Sequence, residues 1–149
     1  FLILQTPGYV TILQEMIHEV RIIPLDNRPH IDRDIKLWMG NSRAHWDGDT
    51  LVVETTNFSD KSRHRFPSSR NLRSVERFTR VSDQLIDYEF TIEDPQVYTS
   101  SWTAVRPMPA LDDYIIYEYA CHEGNYAMFN ILRGARVQEA AAQAASKNN

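Results

Sequence analysis

Three histidines and one glutamate are the residues of this chain whose types suit chemistry best: His18, His30, His122 and Glu118. Neutral imidazole binds zinc and iron, and its proton exchange near neutral pH suits a general acid or base. His18, His30 and His122 with one carboxylate would make a site for one divalent metal, zinc or iron. The sequence contains no H-x-H, H-x-x-x-H or C-x-x-C pair. The metal hypothesis therefore requires residues far apart in the chain to meet in the fold.

The alternation of hydrophobic residues along positions 9–25 predicts the sheet face to which the His18 side chain points. The period of two is that of a β-strand, and His18 shares a face with Val10, Ile12, Met16, Val20 and Ile22. We therefore predict an inward His18 that acts as a metal ligand or general base. The alternative is a structural histidine bonded to a backbone carbonyl or to Gln14. The run is longer than a usual strand, so a turn or bulge inside it is also compatible with the pattern.

Glu118 and His122 form a second group, on a strand predicted over residues 114–121. Residues four apart on a strand point to one face, whereas Cys121 points to the other. Cys121 and His122 therefore diverge, which argues against a cysteine nucleophile with a histidine base. We predict metal-ligand or acid–base roles at these positions, with a tyrosine to orient the substrate. The predicted catalytic residues are His18, Glu118, Tyr119 and His122.

Two glutamates lie among apolar neighbours on predicted strands and have two interpretations. Glu54 and Glu76 would each be an acid or base with a raised pKa if buried alone. Each would otherwise form a cross-strand ion pair with Arg73, Arg77 or Arg80, and we favour this second interpretation. The predicted substrate-binding residues, drawn from strands and loops around the site, are Arg21, His30, Trp46, Glu54 and Arg77. Arg21 falls on the face opposite His18.

Two hairpins are the strongest signals for the elements that must position these residues. Asp47-Gly48 between β-prone flanks is typical of a tight hairpin turn. A second hairpin is predicted over residues 73–93, with its turn at Ser82-Asp83. In its returning strand, side chains predicted to face inward alternate with polar side chains. The inward-facing residues are Ile86, Tyr88, Phe90 and Ile92.

The whole pattern predicts a mainly β fold, an antiparallel meander that forms a curled sheet or barrel, with a C-terminal helix. A further strand is predicted over residues 98–106 and a short helical turn over residues 35–39. Residues 1–136 are interpreted as one β-rich domain that includes a packed helix at about 125–134. Residues 137–149 form an Ala-rich helical tail.

Composition excludes several classes of function. A chain of 149 residues with a net charge of −4 is a poor match for non-specific nucleic-acid binding. Its apolar runs are too short for a membrane span. Basic residues concentrate between Lys61 and Arg80, including Arg63 and Arg65. They indicate either a mobile loop that closes over an anionic substrate or a solvated loop that balances acidic neighbours.

Three stretches together resemble motifs of one protein family. They are residues 14–26 (QEMIHEVRIIPLD), 46–58 (WDGDTLVVETTNF) and 117–126 (YEYACHEGNY). They resemble the C-terminal half of a family of uncharacterised bacterial proteins that carry a leader and an upstream region. The resemblance covers nearly the whole chain. It implies an extracytoplasmic location, periplasmic or secreted, and a parent protein whose N-terminal part precedes Phe1. It implies no catalytic residues, because the family has no established activity.

Three functional hypotheses follow. The leading one is a small β-barrel-like enzyme with a polar His/Glu cavity, such as a hydrolase or lyase that acts on a small molecule or sugar by metal-assisted or acid–base chemistry. The second is a non-catalytic barrel that binds a small or sugar-like ligand. The third is a structural module of a larger secreted protein, in which the Ala-rich tail pairs with another chain, with a homo-oligomer as one option.

Overall fold

The strands of the protein form two antiparallel sheets in a computed structural model that describes residues 1–62 and 66–147. The small sheet has the order β1-β2-β3, with β1 Leu2–Thr6, β2 Tyr9–Leu13 and β3 Val20–Pro24. The large sheet follows chain order, with β4 Asn41–Asp47, β5 Thr50–Thr56, β6 Arg73–Ser82, β7 Leu85–Glu93 and β8 Trp102–Pro109. The helix α1 spans Ala127–Lys147. This confirms the predicted mainly β antiparallel meander with a C-terminal helix. The described strands form curled, open sheets and not a closed barrel.

The predicted hairpins are present. Asp47 pairs with Thr50 across the first turn, and Ser82 pairs with Leu85 across the second, one residue later than predicted. β1 and β2 are joined by a turn in which Gly8 adopts a φ of +80° after a proline. This combination is that of a type II turn, where glycine takes a positive φ without strain.

The long alternating run of residues 9–25 is interrupted, and this corrects the predicted faces. β2 ends at Leu13, and a 3-10 turn at Met16–His18 reverses the chain. Ile17 and His18 there adopt φ values of +69° and +41°, which the β-period does not reveal. β3 then pairs back on β2, with Ile12 opposite Arg21. The reversal exchanges the two faces of β3 relative to those predicted from uninterrupted alternation.

Val20 and Ile22 therefore point outward, and Arg21 points inward with Ile12 and Ile23. Ile12 and Ile23 are buried, whereas Val20 and Ile22 are exposed. His18 is exposed in the turn, so the prediction that it points into the core is wrong.

Residues 35–39 form an irregular segment in place of the predicted helical turn, with an isolated bridge from Leu37 to Phe58 and a turn at residues 38–39. The Asn57 side chain donates to the carbonyls of Asp32 and Ile35 at 2.8 and 2.9 Å. The Leu37 amide donates to the Asn57 carbonyl at 2.9 Å, and the Leu37 carbonyl accepts from the Ser59 amide. These long-range bonds use the backbone groups that a helix would need for itself.

Two strand predictions after β7 need correction. The strand predicted over residues 98–106 begins later, at Trp102, since Val97 and Tyr98 both donate to the carbonyl of Asp94 in a turn. Residues 114–121, all of which the structure describes, contain no strand. Their neighbourhood makes local bonds instead, such as Ala120 to Glu118 at 3.0 Å.

The core lies between the inner faces of the two sheets. Its larger cluster joins Val10, Ile12 and Ile23 of the small sheet to Ala44, Leu51, Val53 and Phe78 of the large sheet. A second cluster contains Phe58, Leu72 and Ile92. The residues of β7 predicted to face inward pack against one cluster or the other, which confirms that alternation: Ile86, Tyr88, Phe90 and Ile92.

The chain divides into two compact units, residues 1–117 and 118–149. In the second unit α1 runs through Gly134 without a break, so the helix predicted at 125–134 and the predicted tail belong to one helix. The Asn125 side chain accepts from the Ala127 amide at its start. The predicted packing of residues 125–134 stays a prediction. Among the described residues, no helix is both long and apolar enough to cross a membrane.

Substitution of Gly40 tests how closely its loop approaches β5. It has a φ of +68°, and an added Cβ would lie 2.5 Å from the Thr56 carbonyl oxygen and 2.7 Å from the Thr55 methyl. We expect Gly40→Ala to lower the free energy of unfolding by at least about 2 kcal/mol in urea titrations. Gly8→Ala is the control, because its φ is +80° but nothing lies within 4 Å of the added Cβ. Gly8→Ala should lower the free energy of unfolding by only about 1 kcal/mol. Equal losses would contradict the packing argument.

Candidate functional site

An ion pair buried between the two sheets is the most polar feature of the core. Arg21 of β3 donates from Nη1 to Glu76 Oε1 at 3.0 Å and from Nη2 to Glu76 Oε2 at 2.5 Å. The two side chains are 11% and 10% exposed. The sequence predicts an ion pair of Glu76 with Arg73, Arg77 or Arg80. It pairs instead with one from the other sheet, because the chain reversal turns Arg21 inward.

Three hydroxyl groups complete this cluster, which we call the Arg21–Glu76 cluster. Tyr88 donates its hydroxyl to Glu76 Oε1 at 2.9 Å. Ser42 Oγ and Thr55 Oγ1 each accept from Arg21 Nη2 at 3.1 Å, and they lie 2.8 Å from each other. Each carboxylate oxygen thus has at least one donor, as a buried charge requires.

Burial and the charge of Glu76 shift the pKa values of Arg21 and Tyr88. Burial alone lowers the pKa of Arg21, but the attraction and hydrogen bonds of Glu76 outweigh it and raise that pKa above its ordinary value. Burial, and then the charge and hydrogen bond of Glu76, raise the pKa of Tyr88. Arg21 therefore stays charged and Tyr88 stays a neutral donor, which suits a structural network better than proton transfer.

A small cavity adjoins the cluster. It measures about 60 Å³ and is lined by Gln14, Arg21, Glu76 and Tyr88 together with apolar side chains that include Phe1 and Met108. This volume holds a few water molecules. Pockets for small-molecule ligands usually measure roughly 300–1,000 Å³. The inner cluster therefore lacks the space for a sugar-sized substrate.

A second polar network lies on the outer face of the large sheet. Arg73 donates to Glu54 at 2.6 Å and to Glu93 at 2.7 Å. The hydrogen bond from Arg73 is the main cause that lowers the pKa of Glu54 below its ordinary value. The predicted ion pair of Glu54 is thus confirmed, and its interpretation as an acid with a raised pKa is wrong.

His30 is the predicted substrate-binding residue that joins this network. Its Nε2 lies 3.4 Å from Glu54 Oε1, and its Nδ1 lies 3.1 Å from Asn41 Oδ1. Asn41 Oδ1 also accepts from the Ile31 amide at 3.2 Å, so His30 Nδ1 is the donor of its bond. Nδ1 therefore donates to Asn41, whereas Nε2 faces the Glu54 carboxylate and forms an ion pair with it only when the ring is protonated.

The other predicted substrate-binding residues lie apart from this pair. Arg77, on the outer face, donates to Asp47 at 2.9 Å in an exposed ion pair. Trp46 pairs with inward-facing Leu51 at the end of β4 and is about half exposed. Arg21 lies on the inner face. The five residues therefore do not line one common site. Arg63 and Arg65 of the predicted basic loop lie outside the described residues.

The predicted catalytic residues are exposed. His18 lies in the 3-10 turn, and Glu118, Tyr119 and His122 lie in the segment before α1. A hydrogen bond with the exposed thiol of Cys121 raises the pKa of Tyr119. Because this segment is not a strand, the argument that Glu118 and His122 share a face no longer applies. Across residues 1–62 and 66–147, no three His, Cys, Asp or Glu side chains are grouped so that they could hold a metal ion.

Sequence reasoning missed two hydroxyl groups of the Arg21–Glu76 cluster, those of Ser42 and Thr55. They are short polar residues of β4 and β5, and their inward parity with Ala44 and Val53 was the available signal. The strand pattern predicts the wrong face for Arg21 and does not indicate that Arg21 is the partner of Glu76.

The surface of the small sheet that faces away from the core is apolar. The strand register places five apolar side chains there around Thr11, and we call them the outer apolar face: Leu2, Leu4, Leu13, Val20 and Ile22. Ile22 is 66% exposed and Val20 is 51% exposed. Met16 and Ile17, in the turn between β2 and β3, are also exposed. Glu15 and Glu19 flank them.

Comparison of this chain with protein-family models, with curated proteins and with solved structures finds no match. The resemblance to a secreted bacterial family, and the extracytoplasmic location that it implies, therefore stay predictions. Function must be argued from the surfaces and clusters of the molecule itself.

Removal of one partner should test the Arg21–Glu76 pair. Glu76→Gln leaves Arg21 charged and buried, so we expect the free energy of unfolding to fall by about 3 kcal/mol in urea titrations. Arg21→Met in the Glu76→Gln background removes the stranded charge and should recover at least about 1 kcal/mol of the summed single losses. Additive losses in this double-mutant cycle would show that the two side chains do not interact.

The pH dependence of stability should test Glu54. Its pKa is lowered in the folded state from an ordinary 4.5, so its carboxylate stabilises the fold above that pH. The contribution is lost as pH falls through the folded pKa. Glu54→Gln should therefore cost up to about 1 kcal/mol at pH 7 and almost nothing at pH 2–3. The control is Asp87→Asn, at an exposed position of β7. A loss for Glu54→Gln that is the same at both pH values would contradict this account.

Proposed function

We propose that this chain is a non-catalytic interaction module that packs the outer apolar face of its small sheet against another polypeptide. The observation that carries the proposal is the exposure of Leu2, Leu4, Val20 and Ile22 on one sheet face. With Met16 and Ile17 they present on the order of 500 Å² of surface, a size at which apolar patches on proteins are commonly interaction sites.

The contrast between two of the edge strands, β1 and β8, supports the same surface. β8, at one edge of the large sheet, contains Arg106, Pro107 and Pro109. Charge and proline are the usual protection of an edge strand against pairing with another chain. β1, at the edge of the small sheet, has neither in its five residues Leu2–Thr6. The small sheet therefore combines an exposed apolar face with an unprotected edge.

The geometry of the polar clusters favours this proposal over an enzyme or a small-ligand barrel. The Arg21–Glu76 cluster pairs its charges internally and adjoins a cavity of only about 60 Å³. The His30–Glu54 pair is bonded to Asn41 and Arg73. The residues predicted to be catalytic lie on exposed segments. A structural module of a larger protein, the third hypothesis from the sequence, agrees best with these features.

Substitution of the outer apolar face tests the proposal. We expect Val20→Ser with Ile22→Lys to reduce the binding of the apolar dye anilinonaphthalene sulfonate at least twofold, as measured by fluorescence. The free energy of unfolding should change by less than about 1 kcal/mol, because both side chains are exposed. The matched control is Val105→Lys, at an isolated exposed valine of β8, which should leave dye binding unchanged.

Two results would contradict the proposal. Undiminished dye binding by the double variant would show that the outer apolar face is not an accessible apolar surface. Turnover of any hydrolase or lyase substrate that disappears in His18→Ala or His122→Ala, with folding retained by circular dichroism, would show that the chain is catalytic.

A further inference from the structure

The open side of β1 is the least protected strand edge of the described sheets. Each of the two sheets has two edge strands, which are β1 and β3 in one and β4 and β8 in the other. Charge and proline protect an edge against pairing with another chain. β3 contains Arg21 and Pro24, β4 contains Arg43 and Asp47, and β8 contains two prolines. β1, with the sequence LILQT, contains neither charge nor proline.

Two residues of β1 direct their backbone groups to this open edge. Thr6 and Tyr9 pair across a two-residue turn, so they exchange both of their backbone hydrogen bonds. Bonded and non-bonded pairs alternate along an antiparallel ladder, so Leu4 also bonds to β2. The N–H and C=O groups of Ile3 and Gln5 therefore point away from β2. No backbone hydrogen bond between the described elements uses these groups.

The sequence of β1 is complementary to itself in one antiparallel register, centred on Leu4. In this register Ile3 of one copy lies opposite Gln5 of the other, and the two residues exchange all their free backbone groups. Leu4 lies opposite Leu4 of the second copy at a closely spaced position, where the two side chains meet. Leu2 lies opposite Thr6. Because β1 has no charged residue, the twofold axis brings no like charges together within the strand pair.

We propose that two copies of the chain pair β1 with β1 about a twofold axis at Leu4. The two three-stranded sheets then form one continuous sheet, and their outer apolar faces meet at the axis. This inference goes beyond the proposed function, because it uses the edge of the small sheet and leaves its face open to another polypeptide. Pairing of two short strands buries less than the roughly 1,200 Å² of a stable interface, so the dimer dissociates on dilution.

Sedimentation equilibrium of the full chain and its variants tests the edge pairing. We expect a concentration-dependent dimer for the wild type. Gln5→Pro should raise the dissociation constant at least 100-fold, because it removes an N–H that bonds to the second copy and places a ring in the contact. The fold should persist, since that N–H is not used in the pairing with β2. The matched control is Gln5→Thr, which keeps the N–H and should stay within threefold of wild type.

Opposite charges at Leu4 test the register without proline. Leu4 is 49% exposed, so both Leu4→Lys and Leu4→Glu should fold, as circular dichroism would verify. Each variant alone places like charges across the axis, so we expect its dissociation constant to rise at least tenfold. An equimolar mixture places opposite charges there. It should form heterodimers at least tenfold tighter than either variant forms with itself.

Three results would overturn the β1 pairing: a wild type that is monomeric at its highest soluble concentration, a dimer unaffected by a folded Gln5→Pro variant, and Leu4 variants that associate no better when mixed. None of them affects the proposed function, which is tested by dye binding to the outer apolar face. Conversely, Val20→Ser with Ile22→Lys alters β3 at the other edge of the small sheet. This double variant should leave the dissociation constant within threefold of wild type, and a larger change would contradict an interface confined to β1.

Discussion

The bidentate ion pair between Arg21 and Glu76 is the interaction on which the packing of the two sheets depends. It joins β3 to β6 across the core, with its two charged side chains nearly buried. A charge in such a place is tolerated only with a partner and further hydrogen bonds, because water is excluded. Tyr88, Ser42 and Thr55 meet that requirement. The pair thereby favours the one placement of the small sheet in which all five groups meet.

The same constraint explains why one face of the small sheet is apolar and uncovered. Arg21 must point inward to reach Glu76, so its neighbours Val20 and Ile22 must point outward. Residues that a strand pattern assigns to the core are thus displayed on the surface. Exposure of this kind is unfavourable in water unless a partner covers it. The inner ion pair and the outer apolar face are therefore two consequences of one register.

Polar networks on the two faces of the large sheet have different physical characters. The inner one is shielded from water, so the loss of a partner leaves a charge without solvation. The outer one, formed by Glu54, Arg73 and Glu93, is more than a third exposed and is weakened by solvent. His30 attaches a loop to this outer network through Asn41 and Glu54. Both networks hold strands and loops in position, and neither encloses a space for a substrate.

The sequence by itself determined the antiparallel meander, both hairpins and the inward alternation of β7, and it favoured the ion-paired state of Glu54. These follow from local rules, namely turn chemistry, period-two patterning and the nearness of residues on adjacent strands. Only the tertiary structure decided the faces of β3 and the partner of Glu76. The reversal at Ile17 and His18 uses positive φ values that their residue types do not announce. Because side chains alternate with a period of two, that one turn exchanged the faces and removed His18 from the core.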